Sequence, residues 1–431
     1  MVFAKRHFIH NDQKNARRSL TVLGSWTDLE LAIRPRYTYL MKSFIFFSAL
    51  VVMSTATFIA CSTSQEPQSN QTEALQENLK KIRTEKNLEL DKKIEDIAAK
   101  FNIPAVHVQI HERGEIAYQK FLGVRAIGAP TPTAETDRYY LGHISKTLTS
   151  LLMAQLIDQK VVSWNSTLAD LVGKDFTVNP LLRPITLEML MAQRSGLVGL
   201  DKLKVMATLD KYSARRGREL IVQSALSYNP EFTPDSKTDI NSTNYVVLGW
   251  ILEKYTNFQW EELVKNKIFF DMGLTQCGFG LATNPKSQAV DHPLGHTLSN
   301  FKLIAEKKLN VPTAIAPAES LSCSSGDLAK LLKEINMGLY RESQFLQEET
   351  FAKLFGPSLD PKMTYAHFLV HDRVWAGGRT LTSSSLDSLF TSHMVLAPAR
   401  EIVITVLVNS GSPKAREGSA KILKLLTESV Q

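Results

Sequence analysis

The segment YYLGHISKTLTS, residues 139–150, places an imidazole and an ammonium group three positions apart, at His143 and Lys146. On a helix such residues are neighbours, and the lysine charge would lower the pKa of the imidazole and keep it neutral. His143 could then act as a general base or a nucleophile, although the sequence shows no hydroxyl or thiol placed for it to activate. In the alternative interpretation His143 fills a pocket, and Lys146 is a buried amine that needs a partner.

The patterns on either side predict the elements that would position these two side chains. A charged helix is expected from about Glu85 to Phe101. The run AVHVQI then alternates in hydrophobicity, and a turn at ERGE leads into a second strand, IAYQKFLG, which predicts an antiparallel hairpin. The helix from His143 to about Gln159 has one apolar side, which predicts burial against a sheet.

The remainder of the chain returns to strands only near its end. Residues from about 163 to 345 have the pattern of helices and long loops. SLFTSHMVLAP and EIVITVLVNS predict two strands before a final helix from about Lys414 to Val430. Strands at both ends with helices between them predict an α+β fold, in which an antiparallel sheet is flanked by helices and interrupted by a helical insertion at about 163–345.

The composition favours a folded protein with no nucleic-acid partner. Apolar residues make up 44% of the 431 residues, which is enough for a buried core. The formal charge is +7, but residues 1–60 hold eight Lys and Arg against three Asp and Glu, so the remainder of the chain is nearly neutral. A nearly neutral folded part argues against a nucleic-acid-binding surface.

The N-terminal part contains an export signal. MKSFIFFSALVVMSTATFIACSTSQ begins with one lysine and continues through 18 uncharged, mostly apolar residues before Cys61. Small residues before a cysteine resemble the bacterial lipoprotein signal, so we predict a signal peptide at 41–60, cleavage after Ala60 and a lipid on Cys61. The alternative is an uncleaved membrane anchor, because 18 residues can just span the hydrocarbon of a bilayer.

Either alternative places the folded part in the cell envelope, at the periplasmic face or at the outer membrane. Residues 1–40 lie upstream of a complete signal, as expected for a start codon assigned too early and an extension that is not translated. Residues 61–83 are polar and have almost nothing to bury, so we predict a flexible tether. The folded domain is expected at 84–431.

The cysteines and histidines leave one alternative open and predict no metal or other cofactor. Cys277 and Cys323 could pair in an oxidising compartment, but two buried free thiols fit the sequence equally well. Several histidines are spaced four residues apart, yet no Glu or Cys set completes a metal site around them. These pairs are His107 and His111, His292 and His296, and His367 and His371.

Five segments follow one another in the order and spacing of a known family. They are YYLGHISKTLTSLLMAQLIDQKVVSWNSTLADLV, ITLEMLMAQRSGL, STNYVVLGWILEKYTN, SLSCSSGDLAKLL and the strand that ends in VLVNS. Together they resemble the serine β-lactamase and penicillin-binding protein superfamily, specifically its class C β-lactamase and D,D-carboxypeptidase-like branch. The resemblance runs from about residue 88 to the C-terminus and implies that 84–431 is a β-lactamase-like domain of the transpeptidase type.

The first two family motifs are altered in this sequence. In the family a serine at a helix start attacks a carbonyl, and a lysine one turn later manages its proton. The resemblance puts His143 at the serine position and Lys146 at the lysine position. Ser145 lies about 200° further around the helix axis, so its hydroxyl should point away. The second motif, Tyr-x-Asn, aligns with Ile240 and Ser242, and isoleucine has no proton to give.

The third family motif, His-x-Gly or Lys-Thr-Gly on the inner strand, aligns with Trp375 and Gly377. Indole donates one hydrogen bond but carries no charge. The resemblance also implies an oxyanion hole made by the backbone N–H groups of His143 and Gly378, with the helix lysine beside it and Arg379 adding positive charge.

Three altered motifs in one site predict a pseudoenzyme that binds without cleaving. Loss of the nucleophile alone removes about 10³ to 10⁶ of the rate in triad-type hydrolases. By analogy of fold, the ligand is expected to be a peptidoglycan-type peptide, or the partner an envelope protein. Two alternatives remain: an active D,D-peptidase, esterase or β-lactamase with a rearranged site, and a purely structural partner whose pocket is filled by Trp375 and His143.

Overall fold

A computed structural model describes residues 68–282, 290–309, 311–340 and 342–431. The upstream extension at 1–40, the signal peptide at 41–60 and Cys61 lie outside the described residues, so these three predictions stay predictions. Within the described ranges, no helix combines the length and the apolar character that crossing a bilayer requires.

Ten α-helices and twelve strands are found in the described residues. The helices are α1 Gln68–Lys100, α2 Ser145–Asp158, α3 Leu168–Val172, α4 Leu187–Met191, α5 Ala214–Ala225, α6 Ser242–Thr256, α7 Trp260–Val264, α8 Ser325–Leu339, α9 Glu348–Phe355 and α10 Pro413–Ser429. The strands are β1 Ala105–Glu112, β2 Glu115–Ala126, β3 Ala129–Pro132, β4 Tyr139–Gly142, β5 Cys277–Phe279, β6 Gly295–Ser299, β7 Lys302–Glu306, β8 Leu321–Cys323, β9 Leu369–Arg373, β10 Gly378–Leu386, β11 Thr391–Ala397 and β12 Ile402–Val408.

The main sheet has seven antiparallel strands in the order β3-β2-β1-β12-β11-β10-β9. The first and last parts of the chain meet at its centre, where Val106 of β1 pairs with Val408 of β12. The hairpin β1–β2 and the strands β11 and β12 are those expected from the alternating patterns. The prediction of an α+β fold with an antiparallel sheet flanked by helices is therefore confirmed.

Side chains of the sheet alternate between two cores. On β12, Val403 and Leu407 enter a core shared with α2, α6 and α8. Ile404 and Val406 enter a second core shared with α1 and α10. Because both faces of this strand are covered, its sequence is a nearly continuous apolar run, IVITVLV.

Short strands that the sequence patterns did not reveal occur at β4, before the helical insertion, and at β5 to β8 within it. β4, β8 and β5 form a three-stranded sheet, and β6 pairs with β7. Several of these strands are only three to five residues long, which is too short for a clear alternation. Cys277 and Cys323 are paired directly across β5 and β8 and form a disulfide, so the two thiols are not free.

The N-terminal helix differs from the sequence-based expectation. α1 begins at Gln68, so residues 68–83 are helical rather than part of a flexible tether at 61–83. The segment contains no Gly or Pro after Pro67 and is rich in Gln, Glu, Lys, Ala and Leu, all of which have high helix propensity. A polar composition therefore did not distinguish a tether from a helix here.

Candidate functional site

The chain enters the head of α2 through a tight turn at the end of β4. Gly142 has φ +45, and a Cβ atom at this position would lie 2.6 Å from Ser385 Oγ. A side chain would clash there, so glycine permits the close approach. The turn brings the backbone N–H of His143 to 3.3 Å from Ser385 Oγ on β10, to which it donates. Residues 242 positions apart in sequence thus form one edge of the site.

Lys146 is fully buried directly below His143. Its Nζ lies 2.8 Å from His143 Nδ1 and 3.5 Å from the carbonyl oxygen of Ala318, and 5.9 Å from the centre of the Tyr245 ring. Burial lowers the pKa of this amine to about 8, and the charge of Glu319 opposes the shift. The partner that a buried lysine requires is therefore supplied by the imidazole.

His143 stands at the solvent side of this pair, with 38% of its side chain exposed. Burial is the main cause that lowers its pKa, the Lys146 charge adds to the effect, and Glu319 opposes it. A neutral imidazole accepts a hydrogen bond at Nδ1 from Lys146 Nζ. Nδ1 also lies 3.3 Å from Glu319 Oε1, and that contact becomes an ion pair only when His143 carries a proton.

Glu319 is a site residue that the sequence analysis missed. It lies in the loop before β8, and its Oε1 accepts a hydrogen bond from Ser242 Oγ at 2.5 Å. Ser242 begins α6, where the side chain of Asn241 accepts the N–H of Thr243 as a helix cap. The available signal was the acidic residue immediately before SLSCSSGDLAKLL. The structure therefore brings together His143, Lys146 and Ser242, with Glu319 between them.

Ser145 is turned away from this cluster. Its Oγ donates to the carbonyl oxygen of Gly142 at 2.8 Å and accepts the N–H groups of Ser320 at 2.7 Å and Leu321 at 2.8 Å. The side chain is fully buried. The prediction that its hydroxyl points away from His143 is confirmed, because the hydroxyl joins α2 to the segment that leads into β8.

Two further polar groups near the turn have no hydrogen-bond partner among the described residues. They are Tyr140 Oη and Asp387 Oδ2, and both atoms are buried. Asp387 Oδ2 lies 3.7 Å from the position of a Cβ at Gly142. Burial raises the pKa of Asp387 to about 6, and the charge of Glu319 adds to the shift. The site therefore contains two carboxyl groups next to a neutral imidazole.

Comparison with known proteins identifies the family. The family model described as Beta-lactamase matches residues 90–428, which is more than half of the chain. The chain belongs to the β-lactamase family. As a β-lactamase-family chain it resembles an octameric penicillin-binding protein homologue from Pyrococcus abyssi, with 23% identity, a TM-score of 0.64 and coverage of 78% of this chain and 77% of that one.

Two further proteins that this β-lactamase-family chain resembles are named penicillin-binding proteins. A penicillin binding protein from Bacillus halodurans has a TM-score of 0.61 at 16% identity and covers 77% of this chain and 98% of that one. Penicillin-binding protein 4 from Amycolatopsis lactamdurans is 23% identical over 41% of this chain, and Protein flp from Staphylococcus aureus strain N315 is 21% identical over 75%. The chain spans 44% and 63% of the lengths of these two curated relatives.

The structure does not bring the residues predicted for the third family motif to His143. Trp375 packs against the second core, and its carbonyl oxygen accepts from Arg400 at 2.8 Å. Gly377, with φ +70, and Gly378 form the turn that leads from β9 into β10. Gly378 is thus seven residues before Ser385, a distance of about 23 Å along a strand.

The prediction for Trp375, Gly377, Gly378 and Arg379 is therefore wrong. Arg379 lies at the same remote end of β10 and donates to the carbonyl oxygen of Phe355 at 3.2 Å. The strand runs towards α2 and meets it with its C-terminal end, so the residue facing His143 is Ser385. The pair of glycines in VWAGGRTL suggested the motif, but these glycines serve a turn between two strands.

Ile240 precedes α6 and is 59% exposed, so it offers an apolar surface beside the loop that leads to Ser242.

A cavity of about 990 Å³ lies elsewhere, between α8 and the β1–β2 hairpin, and its lining includes Lys333 and Asn336 but none of the residues around His143. We place the candidate site at the head of α2 because the buried amine, the imidazole and the carboxyl groups meet there.

Proposed function

We propose that this chain is an exported, lipid-anchored member of the β-lactamase family that binds peptidoglycan-type peptides at the head of α2 without cleaving them. The observation that carries the proposal is the contact of 2.8 Å between His143 Nδ1 and Lys146 Nζ. An imidazole occupies the place from which a family serine would attack, and it engages the lysine that would manage the proton. The hydroxyl of Ser145 is buried in three hydrogen bonds and cannot replace it.

The charges around the site favour a ligand that donates hydrogen bonds. The side chains of His143 and Glu319 are 38% and 22% exposed, whereas the amine of Lys146 is buried beneath them. An arriving ligand therefore meets an imidazole and a carboxylate before it meets a cation. We expect a peptide that presents an amino group to Glu319, since hydrogen bonds between charged groups are the stronger ones.

The absence of covalent chemistry is tested by incubating the purified chain with a penicillin and measuring its intact mass. We expect no adduct. The double variant His143→Ser with Ile240→Tyr restores a hydroxyl and a phenol at the family positions and should regain acylation if the pocket geometry persists. A stable adduct of the unaltered chain at His143, Ser242 or Ser385 would show a rearranged active hydrolase instead.

Binding is tested by the thermal shift that soluble muropeptides with a free amino group produce, compared with the same peptides after N-acetylation. The free-amine peptides should raise the melting temperature and should not be turned over. Glu319→Gln should weaken their binding about tenfold or more, because a charge-assisted hydrogen bond contributes about 1.5–3 kcal/mol. Glu349→Gln, an exposed change on α9, is the matched control and should bind normally.

A purely structural partner protein would give a different result. No wall peptide would then shift the melting temperature of the unaltered chain, and Glu319→Gln would behave like Glu349→Gln. Equal binding of free-amine and acetylated peptides would retain peptide binding but remove the role given to Glu319.

A further inference from the structure

Ser384 lies on the opposite face of β10 from the site at the head of α2. Successive side chains of a strand alternate in direction, and Ser385 faces His143, so Ser384 faces α10. Ser384 is exposed and pairs directly with His393 on β11. Its Oγ lies 2.8 Å from His393 Nδ1, which is hydrogen-bonding distance.

The hydrogen bonds around His393 indicate which nitrogen of its ring carries the proton. Ser419 Oγ on α10 donates to the carbonyl oxygen of Arg416 at 2.9 Å. We assign the ring proton to Nε2, because Nε2 lies 3.0 Å from Ser419 Oγ, which can accept from it while donating its own proton to Arg416. Nδ1 is then an acceptor, and the hydroxyl of Ser384 donates to it. An exposed serine thus donates to a base that a third residue orients, which is the general pattern of an activated nucleophile.

We propose that Ser384 and His393 form a second reactive site, with Ser384 as nucleophile and His393 as general base, and that it accepts acyl groups from small activated esters. Ser419 is a positioning residue that holds the imidazole in the required tautomer. The site is separate from the peptide site at His143 and does not depend on it.

The strand edge next to Ser384 is open among the described residues, and a guanidinium lies at the turn after β10. β9 pairs with β10 only from Gly378 to Thr382, so beyond Thr382 the outer edge of β10 has no strand beside it among the described residues. Arg416 donates from Nη2 to the carbonyl oxygen of Asp387 at 2.8 Å, and its buried Nε has no partner in the described part of the chain. Asp387 is three residues after Ser384 in sequence, so this guanidinium lies at the turn that follows β10.

In the acyl transfer, the imidazole of His393 takes the proton from the serine and returns it to the leaving group. Ser384 Oγ forms a bond to the ester carbonyl carbon, its proton moves to His393 Nδ1, and the carbonyl electron pair becomes the oxyanion. Collapse of this intermediate breaks the bond to the leaving alkoxide, which takes the proton from Nδ1. Water then attacks the acyl-serine with the same imidazole as base and releases the acid. Burial lowers the pKa of His393 to about 4, so the imidazole is neutral at neutral pH, and a base this weak gives slow turnover.

The test uses the full chain and a fluorophosphonate probe, which forms a serine O–P bond and releases fluoride. We expect one adduct per chain, located on Ser384 by peptide mass spectrometry and absent from Ser384→Ala. His393→Gln should slow labelling at least tenfold. Ser388→Ala, which removes another exposed serine just after β10, should label like the unaltered chain.

Absence of an adduct on Ser384, or equal labelling rates in the unaltered chain and a folded His393→Gln variant, would overturn the proposal. Ser384→Ala and Ser388→Ala change exposed side chains and should keep the fold, so the comparison remains decisive if His393→Gln does not fold. An adduct on Ser242 or Ser385 would instead contradict the proposed function and give no support to Ser384.

Discussion

At the scale of single residues, the buried amine of Lys146 determines the character of the site. Its Nζ contacts His143 Nδ1 and the carbonyl oxygen of Ala318, and burial lowers its pKa from 10.5 to about 8. The unfolded chain holds this proton up to the ordinary pKa of lysine. Between pH 8 and 10.5 the unfolded state therefore binds more protons than the folded state, and the stability contributed by this group rises with pH.

We predict that Lys146→Met removes this dependence. The free energy of unfolding of the unaltered chain should rise by about 3 kcal/mol relative to Lys146→Met between pH 7 and 10.5, since one pKa unit corresponds to about 1.4 kcal/mol. Urea unfolding across that range measures the difference. Lys204→Met, an exposed change, is the control and should follow the unaltered chain. Parallel curves for Lys146→Met and the unaltered chain would refute the lowered pKa.

At the scale of elements, the hydroxyl of Ser145 joins α2 to the segment that leads into β8. Ser145 Oγ accepts two backbone N–H groups, from Ser320 and Leu321, and donates to Gly142. The same segment carries Glu319, so this contact also positions the carboxylate of the site.

Ser145→Ala should lower the free energy of unfolding by about 2–4 kcal/mol, because it leaves two buried N–H groups without an acceptor. It should also weaken peptide binding through displacement of Glu319. Urea unfolding and muropeptide thermal shifts measure the two effects. Ser227→Ala removes an exposed hydroxyl and should change neither. A change below about 0.5 kcal/mol, the size expected for an ordinary surface substitution, would contradict this role for Ser145.

The disulfide between Cys277 and Cys323 fixes β5 to β8 across a sequence separation of 46 residues. Replacing both cysteines by alanine should lower the free energy of unfolding by about 4 kcal/mol, the loop-entropy value for a closed loop of this length. Reduction of the unaltered chain should lower it by a similar amount and should leave the double variant unchanged. An effect of the reductant on the double variant would show that the loss has another cause.

The element that sequence patterns placed least well was β10. The family resemblance put the third motif in VWAGGRTL, which made Gly378 a donor of the site. The strand extends to Leu386, and its last residues meet α2. The resemblance implied an inner strand but not which of its ends faces the helix, because that depends on contacts across 242 positions.

At the scale of the whole molecule, the predicted membrane anchor and the folded domain occupy separate parts of the sequence. The domain that matches the family is at residues 90–428, and the segment with the export pattern precedes it. If Cys61 is lipidated, the mature protein begins there and α1 lies between the lipid and the sheet in sequence.

We predict that cells producing the unaltered chain incorporate labelled palmitate into it, and that Cys61→Ser abolishes the label. The mature chain should also have the mass expected for loss of residues 1–60 plus the lipid. Ser62→Ala keeps the cysteine and should still be labelled. An unlabelled chain that retains residues 41–60 would favour the uncleaved membrane anchor.

The sequence by itself determined the sheet and the helices that flank it, because alternation and helical periodicity are local properties of β1, β11, β12, α2 and α10. It also determined that an imidazole and an amine stand one turn apart at His143 and Lys146. Only the tertiary structure decided that Glu319 and Ser385 complete this site, that Gly378 does not, and that Cys277 meets Cys323. These contacts join distant parts of the chain, and their geometry depends on how the elements pack rather than on any local pattern.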